Sequence, residues 1–135
     1  MLKRFEVKNY KNFKDSIVID FGKIGGYQFN LDCITNQMLS KIMIYGRNAT
    51  GKTNLGTALF DIKVNLFGGN LVPLLSNNYL NADSEEPTAS FKYVFEFDKQ
   101  ELIYQYRRYS ALKLFDEEVI LYPMNNPPST TLREP

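Results

Sequence analysis

Eight consecutive residues carry the most specific chemical pattern in the chain. Gly46-Arg47-Asn48-Ala49-Thr50-Gly51-Lys52-Thr53 matches the spacing G-x-x-x-x-G-K-[ST] at every fixed position. Glycine at its first and sixth positions lets the backbone turn tightly, so that N–H groups point inward at phosphate oxygens. Lys52 would reach the β- and γ-phosphates of a nucleoside triphosphate as a mobile point charge, and is the candidate catalytic group. Thr53 would place its hydroxyl on a magnesium ion, and is the candidate metal ligand. A helix opening at this point would add unpaired N–H groups and a partial positive charge.

The flanking residues are expected to position this loop. Lys41-Ile42-Met43-Ile44-Tyr45 is a short apolar run that reads as a buried parallel strand leading into it. Beyond it, Leu55, Ala58, Leu59, Ile62 and Leu66 fall on one stripe of a helix over 53–67, and Gly68-Gly69 is a plausible stop. Residues 2–7 and 16–21 alternate as strands, joined through Asn9-Tyr10-Lys11-Asn12-Phe13. Residues 70–89 read as a long loop. From 90 the period returns to two, with Phe91, Tyr93, Phe95 and Phe97 on one face and a turn at Asp98-Lys99-Gln100-Glu101. Strands at 102–109 and 112–122 follow, and the short connections favour antiparallel pairing. The proline-bearing tail after Tyr122 reads as irregular.

Composition bounds the remaining classes. At 135 residues the chain is about one domain, and 9 tyrosines with 10 phenylalanines supply enough bulk for a core. A net charge of +1 creates no overall field toward nucleic acid, so such a partner stays open without support from charge. Lone Cys33 cannot form an internal disulfide, and with no histidine in the chain it reads as a buried apolar residue in a reducing, cytoplasmic setting. No stretch approaches the roughly 20 apolar residues that span a bilayer. Leu112-Lys113-Leu114-Phe115-Asp116-Glu117 is the best place for a second magnesium-binding acid, yet it reads as an exposed antiparallel strand. Arg107 and Arg108 read as a solvated strand edge.

Two stretches carry a resemblance. Phe5-Glu6-Val7-Lys8-Asn9-Tyr10-Lys11-Asn12-Phe13 resembles the N-terminal strand and N-[FY]-[KR]-x-[FY] turn of the SMC/RecF branch of ABC-type ATPases. The loop extended to Asn54 is similar to that branch's G-x-N-[GA]-[ST]-G-K-[ST]-N. The likeness extends to bacterial AAA/ABC-like ATPases of the overcoming-lysogenization-defect and RloC type, often encoded in phage-defence loci. It implies ATP with magnesium as the nucleotide, and places Lys11 and Asn12 near its phosphates or sugar. It also implies that Asn48 hydrogen-bonds across the site and that Asn54 supports the metal or phosphate shell. In turn residues 9–13 the plain alternative is a connection between two strands.

The expected fold is α/β of the P-loop NTPase type, an ABC/RecF-like N-terminal lobe. It would have a partial sheet, one main helix, and an antiparallel β portion at about 90–122. The lobe would cover 1–122, with an irregular tail over 123–135. No Leu-Ser-x-Gly-type motif and no switch histidine accompany the loop. The resemblance therefore implies a nucleotide-holding lobe, either a piece of a longer ATPase or a short protein. It would hydrolyse ATP only with a complementary lobe or second copy, with an effector nuclease as a further possible partner in phage defence or DNA repair. Two other classes compete. A GTPase or small kinase lacks support, because no Asn-Lys-x-Asp follows the loop and only Arg107, Arg108 and Arg133 could serve a lid. A non-catalytic interaction module with structural nucleotide would use strands 91–122 as its partner surface.

Overall fold

The structure, a computed structural model, describes residues 1–23, 31–35, 37–47, 51–68 and 77–123, together with the backbone of 129–133. Its centre is a six-stranded sheet. The strands are β1 (Leu2–Lys8), β2 (Ile17–Asp20), β5 (Ala89–Phe97), β6 (Gln100–Ser110), β7 (Lys113–Pro123) and β8 (Ser129–Arg133). They lie in the order β2-β1-β5-β6-β7-β8, and every pairing is antiparallel. A small separate hairpin, β3 (Ile34–Thr35) with β4 (Met38–Leu39), is tied to the end of β2 by Leu39 N–H donating to the Phe21 carbonyl at 2.7 Å. One helix, α1 (Lys52–Phe67), packs on one face of the sheet.

Alternation explains the sheet. Register sets Val7, Phe91, Tyr106 and Glu117 in one row across four strands, and Phe5, Tyr93, Tyr104 and Val119 in the next. The rings meet in this plane: Phe5 and Tyr93 at 5.0 Å, Phe91 and Tyr106 stacked at 5.1 Å, Tyr104 and Tyr106 at 5.4 Å between centroids. Cross-strand aromatic pairs of this kind hold the register in place. The hairpin between β5 and β6 turns on Asp98 and Lys99, both with positive φ (47° and 58°), the primed geometry that matches strand twist.

The fold class departs from the expected α/β P-loop arrangement. No parallel strand exists among the described residues, and Lys41–Tyr45 is not a strand. That run has no ladder partner and lies in solvent, with Met43 74% and Tyr45 83% exposed. A parallel strand needs cover on both faces and neighbours on both sides. Here the single described helix is committed to the antiparallel sheet. The tail also differs, because its residues 129–133 pair with β7 as β8.

The helix occupies the expected residues but presents a different face. Its buried residues are Thr57, Ala58 and Asp61, while Leu66 and Phe60 are exposed and Leu55, Leu59 and Ile62 are only partly covered. The reason lies across the interface, where the sheet offers tyrosine hydroxyls. Tyr10 donates to Thr57 Oγ1 (3.0 Å), Tyr93 to the Ala58 carbonyl (2.8 Å), and Tyr79 and Tyr106 to the two oxygens of Asp61 (3.0 and 2.7 Å). Asn65 Nδ2 donates to Tyr104 Oη at 2.6 Å. An apolar stripe would have left these hydroxyls without partners, which is costlier than burying a paired Asp.

Arg108, expected at a solvated edge, is buried. It donates to Asn65 and to the carbonyls of Ser110 and Ala111, and its charge helps offset that of Asp61. Arg107 instead pairs with Asp116 across the strands. Cys33 is half-buried in a short 3-10 turn.

Burial raises the Asp61 carboxyl above its ordinary value, although the hydroxyls of Tyr106 and Tyr79 and the Arg108 charge partly oppose this. Burial likewise pushes the Tyr10 hydroxyl up to about 12, and raises Tyr79, Tyr93, Tyr104 and Tyr106 further. Asp61→Ala is expected to cost about 3 kcal/mol, because two buried hydroxyls lose their acceptor. Urea unfolding at neutral pH measures this, and a loss under about 1 kcal/mol would contradict the pairing. The tyrosines set the alkaline limit. Their folded values lie above the unfolded value of about 10, so their contribution is full below that pH and is lost as pH rises through the folded values. Stability should therefore fall steeply above about pH 10, with ionisation of Tyr10, Tyr79, Tyr93, Tyr104 and Tyr106 appearing only as the chain unfolds. Ionisation of all nine tyrosines before unfolding would contradict it.

Candidate functional site

The helix N-terminus is the place to build the site. Gly51 stands just before α1 with φ 98° and ψ 11°, a left-handed conformation that only glycine adopts without strain. The first intrahelical bond runs from Leu55 N–H to the Gly51 carbonyl at 2.8 Å. The N–H groups of Lys52, Thr53 and Asn54 precede it and have no acceptor within the helix. Among the described residues no side chain caps this end, and the first turn holds no acidic residue, so no carboxylate of that turn competes for its positive potential.

The Lys52 ammonium donates to the Gly46 carbonyl. That contact links the start of the helix to the residue that opens the octapeptide. Thr53 is exposed on the first turn, with no hydrogen-bond partner for its hydroxyl among the described residues. Arg47 is exposed at the near end of the loop. Asn48, Ala49 and Thr50 lie outside the described residues.

The turn after β1 meets the loop directly. Asn54 Nδ2 donates to Asn12 Oδ1 at 2.7 Å. A Cβ built on Gly51 would fall 2.4 Å from Asn12 Nδ2, so the Asn12 carboxamide lies against the glycine backbone. Lys11 has a left-handed backbone (φ 49°), and its ammonium donates to the Asn77 carbonyl at 2.8 Å, 5.5 Å from the Tyr10 ring centroid. Burial lowers its pKa. Asn12 thus reaches the helix start from 42 residues away, and Lys11 the 77–81 segment from 66.

Two residues that sequence reasoning missed hold this turn. Asn9 is fully buried, donating to the Glu86 and Thr88 carbonyls at 2.9 Å each and accepting from Asn81 N–H at 3.3 Å. Asn81 Nδ2 donates to the Lys11 carbonyl at 2.8 Å. The available signal was asparagine itself at the end of the strand, a residue enriched in the left-handed conformation that Asn9 adopts (φ 55°).

Among the described residues of the loop, Thr53 offers a side-chain hydroxyl to a metal. Among the described residues no group of three or more His, Cys, Asp or Glu side chains could hold an ion. A magnesium ion here would take the Thr53 hydroxyl, and its remaining ligands would have to come from phosphate oxygens and water.

A groove also lies elsewhere. A cavity of about 520 Å³ on the other face of the sheet is lined by Lys8, Lys92, Gln105, Arg107, Asp116 and Glu118, among others. Its charges are spent on one another, with Lys92 facing Glu6 at 3.8 Å and Arg107 gripping Asp116. It offers an anion no uncompensated charge, whereas the helix start does. No protein-family model matches the chain, and no curated protein matches it. Among the described residues no helix is long and apolar enough to cross a membrane.

Gly51→Ala tests the loop geometry. The methyl group meets Asn12 and forces a left-handed alanine, so the variant should melt several degrees lower. Asn12→Ala in the same chain should recover part of that loss by removing the clash. Full stability in Gly51→Ala would contradict the packing.

Proposed function

We propose that residues 46–54 hold the phosphates of Mg-ATP. The observation that carries this is the full G-x-x-x-x-G-K-T match standing at the start of a helix, with Gly51 left-handed and Lys52 donating to the Gly46 carbonyl. Phosphate binding of this kind depends on the loop and the helix N-terminus, and makes no demand on the direction of the neighbouring strands. In this reading Lys52 exchanges the Gly46 carbonyl for β- and γ-phosphate oxygens. Thr53 ligates magnesium, which neutralises phosphate charge. Residues 51–54 supply backbone N–H groups.

The N-[FY]-[KR]-x-[FY] turn beside the loop supports a wider assignment to the SMC/RecF-like ATPases of the overcoming-lysogenization-defect and RloC kind. The chain would be the nucleotide-holding part of such an enzyme, cytoplasmic, in phage defence or DNA repair. Hydrolysis would need elements supplied by a complementary lobe or a second copy. A second reading, an interaction module with structural nucleotide, draws on the exposed run Ile42-Met43-Ile44-Tyr45. Four consecutive apolar side chains in solvent favour association.

Mg-ATP at about one hundred times its dissociation constant should stabilise the chain by about 2.7 kcal/mol, seen as a rise in melting temperature. Lys52→Ala should abolish that rise while leaving the ligand-free melt nearly unchanged. No rise for the wild type with magnesium present would sink the proposal. A strong preference for GTP in competition would move it to another P-loop class.

A further inference from the structure

The loop has an unusual support problem. The run that precedes it, Lys41–Tyr45, is unpaired and exposed, so no strand anchors its first half. Something else must fix the direction of the N–H groups at the start of α1. We propose that Asn12 is a positioning residue for the phosphate loop. Seated against Gly51 and hydrogen-bonded to Asn54, it sets the first helical turn toward the triphosphate without touching the nucleotide. This rests on the reading that the loop binds Mg-ATP.

The turn that bears Asn12 is itself rigid. Tyr10 and Phe13 exchange backbone hydrogen bonds at 3.0 and 2.8 Å, and Lys11 N–H donates to the Tyr79 carbonyl at 2.9 Å. Asn9 and Asn81 lock it to the segment before β5. From this base two links reach the same helical residue. Asn12 Oδ1 takes the Asn54 side-chain amide. Tyr10 donates to Thr57 Oγ1, which donates to the Asn54 carbonyl at 2.9 Å. Asn54 is therefore gripped by its side chain and by its main chain, and the peptide units before it follow. The close seat of Asn12 on Gly51 adds a steric wall on the other side of the turn.

This assigns Asn12 a different role from the contact with phosphate or sugar implied by the resemblance. Its oxygen is engaged by Asn54 and its amide nitrogen lies against the Gly51 backbone, so it acts through the helix start. Holding the donors in place before the ligand arrives lowers the ordering cost of binding. Without the link the first turn frays, as helix ends do when no side chain fixes them.

The test is a double-mutant cycle in Mg-ATP affinity, with Asn12→Ala, Asn54→Ala and the pair. Titrations run well below each variant's melting temperature, where a merely structural role would leave affinity untouched. Alanine at position 54 is a good helix former, so at least that variant folds. Each single change should weaken binding about tenfold, the scale of one hydrogen bond, and the pair should be no weaker than the weaker single variant. Variants that bind as tightly as wild type, or losses that multiply in the pair, would overturn the proposal while leaving ATP binding intact. A wild type that binds no Mg-ATP overturns the functional reading first, and this one with it.

Discussion

The architecture depends on how one carboxylate is buried. Asp61 sits at the middle of α1, under the sheet's aromatic face, and receives the hydroxyls of Tyr79 and Tyr106. A charge placed there without partners would unfold a small domain. With two donors and the Arg108 charge nearby, it instead fixes which face of the helix looks down and how far along the sheet it lies. Tyr10 with Thr57 above, and Tyr104 with Asn65 below, extend the same polar seam over the helix length. Apolar packing is non-directional and would tolerate a sliding helix. Hydrogen bonds at 57, 58, 61 and 65 do not.

That seam connects the core to the candidate site. Thr57 is at once a partner of the core residue Tyr10 and of the Asn54 carbonyl in the first turn. The N-terminus of α1 is thus aimed by residues that never approach a ligand. The same turn that carries Tyr10 into the core carries Asn12 onto Gly51. Fold and site share a single connection, β1 to β2, and the inward hydroxyl and the outward carboxamide lie only two residues apart.

What could be read from the chain followed from periodicity and exact spacing. The strands around Phe5 and Phe91, the helix over 53–67 and the Asp98-Lys99 turn are local patterns, and local physics fixes them. The octapeptide was visible because its glycines and lysine stand at set intervals. The failures were all questions of what lies opposite. Ile42 to Tyr45 has the composition of a buried strand, but burial needs neighbours that the described chain does not provide. The stripe Leu55-Ala58-Leu59-Ile62-Leu66 is a good amphipathic pattern, yet the sheet presents hydroxyls, so the polar set Thr57, Asp61 and Asn65 turns inward. Spacing of four and four along those three residues was a signal, legible only beside the tyrosines that answer it. Arg108 is buried for the same reason, through Asn65.

The central claim is that anion binding is concentrated at the start of α1, and not in the groove on the charged face of the sheet. Backbone amide shifts of the wild-type chain, followed by NMR during a Mg-ATP titration, address it directly. The account predicts saturable changes centred on Gly51, Lys52, Thr53 and Asn54, passing to Asn12 and Thr57, with Lys92, Gln105 and Arg107 unmoved. Shifts centred on the sheet groove, or none at millimolar nucleotide, would contradict it.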